Sequence, residues 1–235
     1  MSIYVSISAE PFILHKNLIT STSALFRDYR FESVLTLPEE DAALFEVYAE
    51  WIYSNHSLAV LHDLRAHEVV KRADGTTDQP GAEHLFHLYC LGARLRDVTF
   101  KNAVVDAFVD MLMKATECPT HLAKWIYERL PPGNTFGKLY VDMWCWNSDE
   151  SWFEDLEQRD DPISAPGEFW LDVVKKKTLL GKKIYDARLR VPWVADRTQY
   201  YEEEKHETGG EHSVWSSVHQ TENSGVVVKP DPEDT

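Results

Sequence analysis

The sequence predicts an α+β fold: a small sheet of about three strands packed with helices, then an all-helical extension, then a disordered acidic tail. Three observations predict it. Period-two alternation of apolar residues occurs near the N-terminus. Helical spacing then governs the chain to about Val194. From Ala195 onwards ten acidic residues stand against three basic ones, with few large apolar side chains. The corresponding divisions are residues 1–117, 118–194 and 195–235.

Ile3, Val5 and Ile7 alternate with Tyr4, Ser6 and Ser8, the pattern of a half-buried strand. Ala9-Glu10-Pro11 reads as a turn and Phe12–Leu14 as a second strand. Ser21 or Thr22 is suited to cap a helix carrying Leu25, Phe26 and Tyr29. Ser33–Leu37 reads as a third strand, closed by Pro38.

Pro38–Ser54 is the clearest helix, with Glu39, Glu40 and Asp41 at its positive end. Leu44, Phe45, Tyr48, Trp51 and Ile52 line one face of it. Asn55–Ala82 breaks the pattern and reads as a long connection. Helical spacing returns at Leu85, Leu88, Gly92 and Leu95, and Asp97 then caps a helix carrying Val104, Phe108 and Met111. Three more helices follow: Thr120–Leu130, stopped by Pro131-Pro132; Asn134–Trp146; and one from Pro166 that carries Phe169, Trp170, Val173 and Val174. The acidic tail cannot bury enough surface to offset its ordering entropy.

Composition narrows the function classes. Of 235 residues 43% are hydrophobic and eight are Trp, ample for a core. The formal net charge of −15 argues against unaided binding to nucleic acid or an anionic membrane, so the expected partners are proteins. Cys90, Cys118 and Cys145 lack paired spacing, which favours a reducing compartment. No secretory signal is apparent and no apolar run reaches the roughly 18 residues of a membrane span, so a cytoplasmic or nuclear location is expected.

The candidate chemical groups all have plain structural roles open to them. His84, His87 and Cys90 recur three apart on a helix, which spreads them round its circumference instead of converging them on a metal. His56, His62 and His67 lack Cys or carboxylate partners at ligand spacing. No nucleophile elbow, phosphate loop, dinucleotide fingerprint or zinc-protease motif is present. Trp144, Trp146 and Trp152 suit packing between helices better than a flat platform. Lys175–Arg190 (KKKTLLGKKIYDARLR) reads as a solvated helix end, with nuclear import as the alternative. No catalytic residue, cofactor or metal ligand is assigned.

Specific segments carry a resemblance. In PFILHKNLITSTSALFRDY, Phe12, His15, Lys16, Leu18, Ser23 and Phe26 stand as in the strand-to-helix segment of BTB/POZ domains. VLTLPEEDAALFEVYAEWIYS resembles the next strand, the Leu-Pro-Glu-Asp turn and the helix ending in Trp-x-Tyr. LYCLGARLRDVTFKNAVVDAFVDML is similar to the helix pair that closes that domain, although Asn17 and Gly92-Ala93-Arg94 depart from its common residues. LAKWIYERLPPGNTFGKLYVDMWCW looks like the helical extension of fungal BTB-only proteins.

The resemblance implies a non-enzymatic interaction module, a scaffold or adaptor that self-associates as a homodimer or hetero-oligomer. His15-Lys16 becomes a structural junction, where a polar side chain satisfies turn backbone. Ile3, Val5, Ile7 and Leu18 are the candidate self-contacts. A sharper implication is a substrate adaptor for a cullin-type ubiquitin ligase scaffold, met through Tyr53, Leu58 and Leu61. The apolar-x-Glu signature of such adaptors has only Ala66-His67-Glu68 and Gly81-Ala82-Glu83 as counterparts. An enzyme or metal protein whose site assembles only in three dimensions is the rival class.

Overall fold

The computed structural model describes residues 1–6, 10–62, 80–113, 122–148, 165–181, 191–203 and 227–228. They fall into two units, one of residues 1–63, 87–103 and 203–235, the other of residues 64–86 and 104–202. The architecture is α+β, mostly helical with one small mixed sheet. The described residues 104–113, grouped by the sequence reading with the first domain, fall in the second unit.

In the first unit β1 (Ser2–Val5) is an interior strand. It pairs antiparallel with β2 (Phe12–Ile13), Ser2 opposite Ile13 and Ile3 opposite Phe12. It pairs parallel with β3 (Val34–Leu37), from Ser2 opposite Val34 to Val5 opposite Leu37. Alternation places Ile3, Val5, Leu35 and Leu37 together on the buried face. Parallel neighbours require a crossover, and α1 (Lys16–Thr22) and α2 (Ala24–Asp28) supply it. A two-residue strand β4 (Val227–Val228), from the segment expected to be a disordered tail, pairs antiparallel with β3.

Helix α3 (Ala42–Tyr53) buries Phe45, Tyr48, Ala49, Trp51 and Ile52. It begins later than the sequence pattern suggests. Asp41 is its cap, accepting from the N–H groups of Ala43 (2.8 Å) and Leu44 (3.0 Å). Pro38–Glu40 form the preceding turn, so Glu40 does not serve the helix dipole. Its buried carboxylate is instead clamped by Nε and Nη2 of Arg94, a bidentate charged pair.

The end of α3 is equally specific. The N–H of His56 bonds the carbonyl of Trp51 at 3.0 Å, and Asn55 lies in the left-handed region at φ 57°. The His56 ring stacks on Trp51 with centroids 4.4 Å apart, completing a Schellman stop with its side-chain contact. Part of the connection expected after it is helical: α4 (Leu58–His62) packs on α3.

Helices α5 (Pro80–Arg94) and α6 (Val98–Leu112) meet at a corner built by the same device. Asp97 N–H bonds Gly92 carbonyl at 2.9 Å, Arg96 N–H bonds Ala93 carbonyl at 3.1 Å, and Arg96 is left-handed at φ 50°. Asp97 then caps α6 as expected, its Oδ1 accepting from Phe100 N–H at 2.9 Å. Its Oδ2 accepts from Tyr48 Oη at 2.9 Å and from Thr22 Oγ1 at 2.5 Å, and the residue is fully buried.

The α1–α2 junction docks onto that corner. Ser23, not Ser21 or Thr22, caps α2, because those two residues complete α1. Its hydroxyl accepts from Phe26 N–H at 3.2 Å and donates to the Leu95 carbonyl at 2.6 Å. The N–H groups of Ala24 and Leu25 bond the carbonyls of Arg96 and Leu95 at 3.1 and 3.3 Å. Burial first, and then the Asp97 charge, push the Tyr48 phenol well above its usual range, which fixes it as a donor.

The second unit contains α7 (Leu122–Arg129), α8 (Thr135–Asn147) and α9 (Gly167–Gly181). After Pro131-Pro132, Gly133 adopts φ 77° and Asn134 caps α8 by accepting from Phe136 N–H at 2.8 Å. Phe86, Phe108 and Phe136 form one ring cluster, and Tyr140, Trp144, Phe169 and Trp170 another. Trp144 is therefore core, whereas Trp152 lies outside the described residues.

Residues 195–203, read from composition as the start of the tail, are structured. α10 (Pro192–Ala195) and a 3-10 turn at Arg197–Tyr200 pack within this unit, burying Trp193 and Tyr200. Tyr200 Oη donates to Asp142 at 2.7 Å, Tyr201 Oη bonds Asp106 at 2.7 Å, and Arg197 pairs with Asp106 (3.4 Å) and Asp110 (3.2 Å). Acidic residues of α6 supply partners that a count of charges along the tail does not reveal.

Two stability predictions follow from the corner. Asp97→Ala removes the α6 cap and leaves the buried Tyr48 hydroxyl unpaired, for an expected loss of about 3 kcal/mol or more. Asp97→Asn keeps an acceptor for Phe100 N–H and loses about 1–2 kcal/mol. Urea unfolding of both variants should rank them in that order, and equal losses would refute the capping role. A Cβ on Gly92 would lie 2.8 Å from Lys101 Cγ and 3.0 Å from Phe100 Cδ1. Gly92→Ala, despite its better helix propensity, is expected to lower stability by about 1–3 kcal/mol through overpacking, read by thermal unfolding.

Candidate partner-binding surface

The His15-Lys16 junction joins β2 to α1, and three exposed apolar side chains surround it. Ile13 is 76% exposed, Leu18 39% and Tyr53 47%. The pleat explains Ile13: Phe12 lies opposite buried Ile3 and meets Phe45 at 5.0 Å, so the next residue points away from the core. Leu18 and Tyr53 are linked to the same point. Leu18 N–H bonds the His15 carbonyl at 3.0 Å, and Tyr53 Oη lies 2.7 Å from His15 Nδ1.

His15 works differently from the sequence expectation. Its side chain makes no cap bond to α1. The Tyr53 hydroxyl instead accepts from the His15 backbone N–H at 3.1 Å and meets the His15 ring nitrogen on its other side. Both contacts are satisfied when Nε2 carries the ring proton and the phenol donates to Nδ1. The two rings meet edge to face with centroids 5.8 Å apart. Tyr53, the last residue of α3, is thereby tied to the start of α1 while much of its ring stays in water.

The other sequence candidates are distributed differently. Ile3 and Val5 are fully buried in a strand paired on both sides, so they hold the sheet and present no surface in this structure. Leu61 is buried and Leu58 half-buried. Ile7, His67, the Ala66-His67-Glu68 triplet and Cys118 lie outside the described residues. Sequence reading missed Ile13 because PFIL is an unbroken apolar run with no alternation to assign a face. It also missed Phe31, 81% exposed beneath the Arg30 guanidinium at 4.6 Å.

Among the described residues, a cluster of ionisable groups lies in the second unit. Asp142, nearly buried, accepts from Tyr200 and pairs with Lys176 at 2.7 Å. One turn on, Cys145 Sγ contacts the Val173 carbonyl at 3.5 Å, and burial first, then Asp142, push its thiol up to about 11. That proton stays on sulfur at neutral pH, so the thiolate a nucleophile needs is scarce. Lys177 donates to Ser148 Oγ at 2.8 Å, and Ser148 donates to the Trp144 carbonyl at 2.6 Å. This serine and lysine close the C-terminal turn of α8, where exposed carbonyls favour a cation. Two lysines of the basic run are thus used inside the unit.

Among the described residues no three His, Cys, Asp or Glu side chains are grouped to hold a metal ion, and no helix is long and apolar enough to cross a membrane. At His15 three exposed apolar side chains thus stand beside one hydrogen-bonded junction.

Tyr53→Phe should lower stability by only about 1 kcal/mol or less, because water can replace the lost hydroxyl at this exposed point. Hydrogen exchange at the His15 amide should quicken in that variant while the core of α3 is unchanged; an unaltered His15 amide would refute the link. Comparison of the chain with protein-family models, with curated proteins and with solved structures finds no match.

Proposed function

We propose that the protein is a non-enzymatic protein–protein interaction module of the BTB/POZ kind, acting as a scaffold or adaptor. The observation that carries the reading is the trio Ile13, Leu18 and Tyr53, exposed around one hydrogen-bonded junction. Preorganised apolar side chains lose little conformational freedom on binding, which makes such positions effective anchors. The element order supports the reading: two strands, two short helices, a strand, a capped helix and a closing helix pair. That is the order the BTB/POZ resemblance implies. Among the described residues, Asp142, Cys145, Lys176 and Lys177 are engaged by neighbours within the second unit and give no comparable support to an enzyme.

The partner class is protein, and a cullin-type ligase scaffold is the specific candidate to test, with Tyr53 and the half-buried Leu58 nearest to the expected contact. The test uses the full chain, since a cut after Val194 would remove Arg197 and Tyr200 from the second unit. Partners captured by crosslinking would be titrated calorimetrically against wild type, Leu18→Asp and Tyr53→Ala, with the N-terminal domain of a cullin titrated in parallel. Each variant should lose about tenfold or more in affinity with little change in melting temperature. Unaltered affinity in both would overturn the assignment of this surface. Heat with the cullin domain would make the protein a ligase adaptor, and its absence would leave a scaffold for other partners.

A further inference from the structure

The strand order puts β2, with Ile13, at one edge of the sheet and β4, seated on β3, at the other. Backbone parity decides which groups of β3 face that second edge. Ser2 N–H bonds the Ser33 carbonyl at 2.8 Å and Ser6 N–H bonds the Leu37 carbonyl at 2.9 Å. Ser33, Leu35 and Leu37 therefore turn their backbone groups towards β1. Val34 and Thr36 turn theirs outward. Unpaired, they would be a template for any extended chain. Val227–Val228 meets them antiparallel, with Thr36 opposite Val227 and Leu35 opposite Val228. Thr36 and Val227 are thus the hydrogen-bonded pair, and the Val228 N–H points away from β3.

The occupant is separable from the sheet that it covers. β1, β2 and β3 all lie before Pro38, whereas β4 comes from near the other end of the chain and is two residues long. Its departure would leave the pairing of β1 with β2 and β3 intact. Its sequence also suits the place: three consecutive valines, strong strand formers, stand in an otherwise polar stretch. We propose that the outer edge of β3 is a binding site for an extended, β-branched peptide laid antiparallel to it, and that the chain's own Val227–Val228 holds the site as an intramolecular competitor. The ligand class is read from the occupant, which is such a peptide. Recognition of this kind rests on main-chain hydrogen bonds, here those of Thr36. A tethered occupant acts at an effective concentration on the order of millimolar, so a segment of another protein meets an edge already filled.

The test uses the full chain, as wild type and as Val227→Pro, which removes the N–H facing Thr36. Each is titrated by NMR with a synthetic peptide of residues 224–231, SGVVVKPD. The Thr36 amide should exchange faster with solvent in the variant and regain protection when peptide is added. The Leu35 amide, which faces β1, should stay protected throughout, showing that the rest of the sheet is intact. The variant should bind the peptide about tenfold more tightly than wild type, because the tethered competitor is gone. Register is tested with two further peptides: N-methylation at Val227 should abolish binding, and N-methylation at Val228 should not. Peptide that binds neither protein overturns the proposal, as does binding to wild type as tight as to the variant. So does a Thr36 amide indifferent to the substitution, or a peptide insensitive to N-methylation at Val227. None of these results touches the reading of the His15 surface, which is tested by other residues and other partners.

Discussion

The first unit depends on one buried carboxylate. Asp97 ends α5, begins α6, and receives hydroxyls from α1 and α3. An unpaired charge at such depth would be strongly destabilising, so the site holds only while all three donors are in place. That requirement couples elements distant in sequence. Thr22 can reach Asp97 only if the α1–α2 junction sits on the α5–α6 corner, and the backbone bonds of Ala24 and Leu25 hold it there. Tyr48 can reach it only if α3 enters at the correct register, with Phe45 and Trp51 then packed as neighbours. Specificity of arrangement, more than net stability, is what a buried polar network of this kind supplies.

From that corner the exposed surface can be traced outward. Fixing α1 and α3 relative to the corner fixes both ends of the His15–Tyr53 bond, since His15 precedes α1 and Tyr53 ends α3. The Schellman stop immediately after Tyr53 prevents further helix from covering its ring. The sheet contributes in the same way: β1 is paired on both sides, leaving the two-residue β2 at the edge with Ile13 turned outward. The apolar trio is therefore exposed because folding constraints place it there. This distinguishes it from isolated apolar residues on a surface, which are ordinary.

Much of this was legible in the sequence because it is local. Helical spacing located α3, α5, α6, α7, α8 and α9, and Asp97 was readable as a cap because cap chemistry depends on residues three apart. Asp41 against Pro38 as the start of α3 was not, since three acidic residues in a row satisfy the dipole equally well by composition. Only the distant Arg94 assigns Glu40 elsewhere. Arg96 in the left-handed region carries no signal, because Gly or Asn is the usual marker there. The structure of residues 195–203 was hidden for a related reason: a segment with few large apolar residues suggested too little burial to offset its ordering entropy, whereas Trp193 and Tyr200 are buried and Arg197, Tyr200 and Tyr201 find carboxylates on α6 and α8. Exposure was the least legible property. Periodicity predicts which face of a strand is buried, but it cannot show that β1 lies inside the sheet while β2 lies at its edge.

The same logic of paired polar groups extends to the second unit. Catalysis needs a group whose proton or electron pair is available at working pH, held near others but not consumed by them. Among the described residues of the second unit, several ionisable groups are engaged by their neighbours. Tyr200 and Lys176 both engage Asp142, Ser148 and Lys177 bond one another at a helix end, and the Cys145 thiol is held above neutral pH. Tyr127, Tyr200 and Tyr201 are all raised, by burial first and then by their carboxylate partners, so each is locked as a donor. Groups arranged in this way orient helices. At the His15 junction the polar groups are likewise paired, while the apolar atoms of Ile13, Leu18 and Tyr53 remain in water. Removing those atoms from water would be favourable, as the burial of apolar surface is in general.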